Sequence, residues 1–182
     1  KRILYTLRLV MSLTFHFSEK TKPPELSRLE DFKKIIANPG TQFFTTHNRA
    51  ELKKSSQVIF ERFKDRKIFV HIGIGGSSLG PEMLVQALKK NDQQFIFINN
   101  IDPDEIYSQL NGLNPDDCLF YFVSKSGGTA ETMATLAIIT NFLSEKSIAL
   151  NELKNYFVFA TDPKKSELLD LARELEILSL EV

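Results

Sequence analysis

The sequence predicts an α/β fold: a flavodoxin-like, doubly wound sheet of five parallel strands, preceded by an N-terminal helical segment. Three observations carry that prediction. From Lys67 onward, short apolar runs alternate with helix-like segments. The runs are almost continuously apolar, as expected of strands covered on both faces. Two of them, the first and the third, end in loops crowded with glycine and hydroxyl residues. Strand–helix alternation of this kind implies a parallel sheet with right-handed crossovers.

Composition sets the bounds. The 182 residues are enough for one medium domain with a sizeable core. Hydrophobic residues make up 42% and charged residues 25%, an ordinary globular balance that argues against disorder. Twenty-three basic residues offset twenty-three acidic ones. A neutral chain gives no electrostatic reason to expect nucleic acid or an anionic membrane as partner. The single Cys118 excludes an internal disulfide and a cysteine-rich metal site, and it fits a reducing cytosol. No run reaches the roughly 18 apolar residues of a membrane span.

Taken in order, residues 1–66 form an N-terminal extended and helical region, and residues 67–182 form the sheet domain. The opening "KRILYTLRLVMSLTF" has the charge and apolarity of a signal peptide at a glance. Arg8 breaks its apolar run, however, and no small-residue cleavage site follows. Met11 offers an alternative start at "MSLTFHFSEK". Residues 1–23 read as extended, up to a break at Pro23-Pro24. In "ELSRLEDFKKII", Leu26, Leu29, Phe32, Ile35 and Ile36 share one helical stripe, which Asn38-Pro39-Gly40 ends. "AELKKSSQVIFERF" is a second amphipathic helix, with Leu52, Ile59, Phe60 and Phe63 apolar.

The five strands are expected at 68–73 (IFVHIG), 95–100 (FIFINN), 118–123 (CLFYFV), 156–161 (YFVFAT) and 177–182 (ILSLEV). The helices between them are "PEMLVQALKK", "PDEIYSQLN", "AETMATLAIITNFLSEK" and "KKSELLDLARELE". Asp102 and Glu105 have capping-box spacing, with Pro103 at the first helical position. Asp162-Pro163 is read as opening the last helix in the same way.

The two unusual loops are "GIGGSSLG" (73–80) and "SKSGGTAET" (124–132). In strand order 2-1-3-4-5 the first and third strands are neighbours, and their crossovers leave on opposite faces. That creates the switch-point crevice where ligands bind in open α/β sheets. Glycines let backbone approach a ligand closely. Helix N-termini offer unpaired N–H groups and the positive end of a dipole. Ser77, Ser78, Ser124, Ser126 and Thr129 add hydroxyl donors, and Lys125 is the one cation in either loop. Together these suit a phosphate group. Glycine and serine are also common in ordinary βα turns and helix caps, but two such loops at adjacent strand ends favour a ligand.

Other anion motifs fit poorly. Gly75 to Gly80 has P-loop glycine spacing, but Pro81-Glu82 stand where Lys-Ser/Thr is required. Gly73 and Gly75 begin a dinucleotide fingerprint, but Ser78 replaces its third glycine, and the second strand ends in Asn99-Asn100. No Gly-x-Ser-x-Gly elbow occurs. His16, His47 and His71 are scattered, and His71 reads as a core residue. No metal-ligand spacing is present, so neither metal nor cofactor is expected.

"GIGGSSLGP" (73–81) and "SKSGGTAET" (124–132) resemble the glucose-6-phosphate isomerase (phosphoglucose isomerase) family, and look like its first sugar-isomerase (SIS) domain. The first motif is highly specific; the second recurs across SIS proteins. The resemblance covers roughly residues 67–182. It implies that Gly76 and Ser77 lie against the sugar phosphate. It implies equally that Ser124, Lys125, Ser126 and Thr129 form the phosphate-binding loop, with Gly127 and Gly128 in its bend. Family members often carry threonine where this chain has Gly128, which removes one hydroxyl. The family interconverts glucose 6-phosphate and fructose 6-phosphate through an enediol(ate). The resemblance further implies a cytoplasmic protein that is a homodimer when intact. The family's "GGR" segment, base glutamate, ring-opening histidine and late lysine lie beyond the matched region, as does its second SIS domain. The chain is therefore expected to be an inactive fragment with no catalytic residue of its own. Three other readings stay open. One is a non-catalytic SIS-type sugar-phosphate regulator. Another is a self-sufficient isomerase using Glu131. The third is a nucleotide-dependent oxidoreductase, which the incomplete fingerprint disfavours.

Overall fold

The computed structural model describes residues 5–8, 14–17, 26–37, 46, 49–88 and 93–182. By its internal contacts the chain divides into two units, residues 1–49 and 50–182. In the first unit, β1 (Tyr5–Arg8) pairs antiparallel with β2 (Thr14–Phe17), Tyr5 opposite Phe17 and Arg8 opposite Thr14. Helix α1 runs from Leu26 to Ala37, where the apolar stripe places it. The expected breaks at Pro23-Pro24 and Asn38-Pro39-Gly40, and the positions of Met11 and His47, lie outside the described residues.

The second unit holds α2 (Ala50–Phe63), β3 (Ile68–Ile72), α3 (Gly76–Leu88), β4 (Gln94–Ile98) and α4 (Pro103–Leu110). It continues with β5 (Cys118–Val123), α5 (Ala130–Glu145), β6 (Phe157–Thr161), α6 (Glu167–Glu174) and β7 (Leu178–Glu181). Short 3-10 turns at Pro115–Asp117 and Leu150–Asn155 lead into β5 and β6. The sheet order is β4-β3-β5-β6-β7, parallel throughout, which is the expected 2-1-3-4-5.

The step from β3 to β4 runs one way along the sheet, and every later step runs the other way. Right-handed crossovers then put α3 on one face and α4, α5 and α6 on the other. The cores agree. Side chains alternate along each strand, so Val70, Ile72, Phe120, Phe122, Phe157 and Phe159 face together. They pack with Ile106 and Leu110 of α4, Leu136, Ile139 and Leu143 of α5, and Leu168 of α6. Edge-on ring contacts tie Phe122 to Phe157 and Phe159 at 5.1 and 5.6 Å. On the other face Phe63 of α2 packs with Leu119 and Val158, bordered by Ile59, Phe69, Tyr121 and Leu178. Helix α2, grouped with the N-terminal region when read from sequence, therefore packs on the sheet.

Two helix starts differ from the sequence reading. Helix α3 begins at Gly76, not at Pro81, and carries Pro81 inside it. The glycine-rich stretch is itself the first turn, because the early N–H groups of a helix need no intrahelical partner. Helix α6 begins at Glu167 with Ser166 as its N-cap, the Ser166 Oγ accepting from the Leu169 N–H at 2.9 Å. Asp162 serves a separate turn instead, accepting from the N–H groups of Lys164 (2.8 Å) and Lys165 (3.2 Å). The Asp102 cap on α4 is as expected, accepting from Asp104 and Glu105.

Candidate functional site

Because β3 and β5 are paired neighbours, their carboxyl ends deliver both loops to one edge of the sheet. An open crevice of about 450 Å³ lies there, lined by Ile74, Ser77, Val123, Ser124, Lys125, Ser126, Thr129, Thr132, Asp162 and Lys165. Five of the eight residues singled out by sequence thus share one cavity: Ser77, Ser124, Lys125, Ser126 and Thr129. Gly76, Gly127 and Gly128 are not among its lining residues.

The second loop is held internally by its hydroxyls. Ser124 Oγ lies 2.9 Å from Thr129 Oγ1 and accepts from the Gly127 N–H at 3.1 Å. Ser126 Oγ is 3.3 Å from Thr129 Oγ1. Thr129 occupies the N-cap position of α5, yet its side chain makes no capping bond. Ordinary capping therefore does not account for this hydroxyl, which turns toward Ser124 and Ser126. The first turn of α5 thus has no side-chain cap from Thr129, and an uncapped helix N-terminus favours an anion.

Neighbouring β6 anchors the same loop. The Ser124 N–H donates to the Ala160 carbonyl at 3.0 Å, Asp162 N–H to Lys125 at 3.1 Å, and Leu168 N–H to Gly127 at 3.3 Å. Gly127 has φ +70°, and a Cβ there would collide with the Ser166 side chain and come within 2.8 Å of Thr161 Oγ1. The nearest atoms a Cβ at Gly128 would meet belong to the flexible Glu167 carboxylate. In this chain that carboxylate occupies the space beside the loop.

On the first loop, Ser77 reaches the crevice from the first turn of α3. Gly73 allows this turn to pass close, since a Cβ at 73 would lie 2.9 Å from the Ser77 carbonyl oxygen. The same oxygen accepts a 2.7 Å hydrogen bond from His71 Nε2. His71 is buried as expected, at 2% exposure. Burial holds its pKa below the ordinary value, against the opposing influence of the Ser77 bond and the Glu82 charge.

Sequence reasoning missed Asp162 and Lys165. They come from the loop after β6, which ends at the same sheet edge because β6 pairs with β5. Asp162-Pro163 looks like a helix start, and that masked a third contributor. Lys165 brings a second cation to the rim beside Lys125. The Asp162 carboxyl is held below its usual range chiefly by the backbone N–H groups of Lys164 and Lys165, so its charge is directed to its own turn. A separate apolar cavity of about 320 Å³ lies between α2 and the sheet, lined by residues such as Ile59, Phe63, Phe69 and Phe95. It brings no comparable set of hydroxyls together. Among the described residues no group of three or more His, Cys, Asp or Glu is placed to hold a metal, and no helix is long and apolar enough to cross a membrane.

Comparison with known proteins follows the same lines. The family model for phosphoglucose isomerase matches residues 47–174. A glucose-6-phosphate isomerase of Carboxydothermus hydrogenoformans is 36% identical over 139 residues, covering 70% of this chain and 29% of that protein. One from Borreliella afzelii is 40% identical over 122 residues, covering 63% of this chain and 23% of that protein. The crystal structure of a glucose-6-phosphate isomerase from Chlamydia trachomatis superposes with TM-score 0.64 at 28% identity, covering 75% of this chain and 26% of that one. The chain thus spans less than a third of the length of these relatives.

Proposed function

Since the chain belongs to the phosphoglucose isomerase family, we propose that it supplies the phosphate-binding half of a glucose-6-phosphate isomerase. The intact protein interconverts glucose 6-phosphate and fructose 6-phosphate, without a cofactor, as a cytoplasmic homodimer. The observation that carries the reading is the meeting of Ser77 with Ser124, Lys125, Ser126 and Thr129 in one crevice.

In this reading the sugar phosphate sits over the first turns of α3 and α5. It takes hydrogen bonds from the serine and threonine hydroxyls and from backbone N–H groups, with Gly76, Gly127 and Gly128 keeping the backbone close. Lys125 and Lys165 add positive charge from the loops after β5 and β6. Gripping the phosphate leaves the reacting C1 and C2 carbons to groups elsewhere. Binding energy from a remote phosphate positions those carbons and lowers the barrier there. The proton shuttle through the enediol(ate) suits a carboxylate that takes and returns one proton. That carboxylate and the ring-opening acid come from outside these 182 residues.

Calorimetry tests the phosphate role. Ser124→Ala and Thr129→Ala should each weaken fructose 6-phosphate binding by about 0.5–3 kcal/mol, the range for neutral to charge-assisted hydrogen bonds. Binding of unphosphorylated glucose should be nearly unchanged. Equal losses for both ligands would mean that the loop does not read phosphate.

A further inference from the structure

Helix α3 contains a local contradiction. Its sixth residue is Pro81, which has no N–H. In an α-helix the N–H of residue 81 would donate to the carbonyl of residue 77. Proline also crowds that carbonyl with its ring. The Ser77 carbonyl therefore loses its ordinary intrahelical partner, on the residue whose side chain reaches the crevice.

His71 makes good the loss. It projects from β3 on the face that carries α3, and its Nε2 lies 2.7 Å from the Ser77 oxygen. A carbonyl only accepts, so the ring must donate through Nε2–H, which fixes the tautomer. The imidazole is wedged between the Phe97 ring at 5.3 Å and the Tyr121 ring at 5.6 Å. The titratable and charged groups around it are Tyr121 and Glu82. Gly73 keeps the intervening backbone out of the way.

We propose that His71 is a positioning residue of the phosphate site: it replaces the missing Pro81 amide, and so fixes the first turn of α3 with Ser77 on the crevice. This rests on the phosphate reading above. Burial supports it by keeping the ring neutral, with a single Nε2 proton committed to Ser77.

The decisive experiment is a double-mutant cycle read by fructose 6-phosphate binding. His71→Leu should weaken binding about tenfold, because a part-buried carbonyl is left without its donor. His71→Gln, whose amide can reach the same oxygen, should stay within about twofold. Pro81→Ala restores an N–H aimed at the Ser77 carbonyl, so His71→Leu in that background should cost no more than about twofold. A purely structural histidine would show equal losses in both backgrounds, and that result overturns the proposal. Unchanged binding in His71→Leu, with the parent chain binding normally, overturns it while leaving the phosphate reading intact. Failure of the parent chain to bind removes both. Should His71→Leu not fold, ¹⁵N spectra of the parent ring decide: a protonated Nε2 at neutral pH supports the role, and a bare Nε2 overturns it.

Discussion

Two adjacent glycines answer to different constraints. Gly127 combines φ +70° with a wall formed by Ser166 and Thr161. Gly127→Ala should destabilise the fold by about 2–3 kcal/mol, adding left-handed strain to overpacking. Gly128→Ala meets the flexible Glu167 carboxylate first, and should cost within about 1 kcal/mol. Urea midpoints would separate the two; equal costs would mean that the wall behind Gly127 yields. His71 makes a pH prediction. Its folded pKa lies below the ordinary 6.5, chiefly because it is buried. The unfolded chain therefore takes up the proton first as pH falls. Stability from this group is full above about pH 6.5 and declines below it, toward the folded pKa. His71→Gln should flatten that decline between pH 7.5 and 5.5 in denaturant titrations. Cys118 has no exposed surface, and burial raises its thiol pKa to about 11. A thiol reagent should leave it untouched until the chain unfolds.

At the scale of elements, the strands were the most legible part. Runs such as CLFYFV and YFVFAT are apolar on both faces because α2 and α3 border one side and α4, α5 and α6 cover the other. Helix starts were less legible. Proline is a good first helical residue, and at Pro103 that rule held, with Asp102 as the cap. At Pro81 the same rule misled, because the donor that rescues an internal proline comes from His71, six residues before the rescued carbonyl. At Asp162-Pro163 the aspartate caps a turn, and Ser166 caps the helix. Ser166 also accepts from Thr161 Oγ1 at 2.7 Å while being almost wholly buried. Ser166→Ala should therefore remove a cap and strand a hydroxyl, costing about 1–3 kcal/mol in urea unfolding. A loss of only a few tenths would mean that a neighbour replaces the bond.

For the whole molecule, the pairing of the two loops followed from strand order, and strand order from the alternation of elements. The contribution of Lys165 did not, since it depends on a third strand ending at the same edge and on a lysine outside any motif. On the proposed reading the crevice grips a phosphate, and neither His71 nor Glu131 is placed to shuttle a proton beside it. His71 is committed to Ser77, and Glu131 sits in the first turn of α5, where an acid favours the helix dipole. The 182-residue chain should show no turnover of fructose 6-phosphate in a coupled assay, purified free of host isomerase. Turnover abolished by Glu131→Gln would instead establish a self-sufficient isomerase. A lost general base alone typically costs about 10²–10⁴-fold, so the expected gap is wide enough to read.

The smaller core joins Phe63 of α2 to Leu178 of β7 across most of the unit. During ribosomal synthesis α2 emerges roughly 115 residues before its partner on the last strand. At about 5–20 residues per second, that interval lasts on the order of ten seconds. Until the strands of the sheet emerge to cover it, the Ile59–Phe63 edge is an exposed apolar strip on a nascent chain. Holdase chaperones should find this strip early, and release it only when β7 arrives to close the sheet.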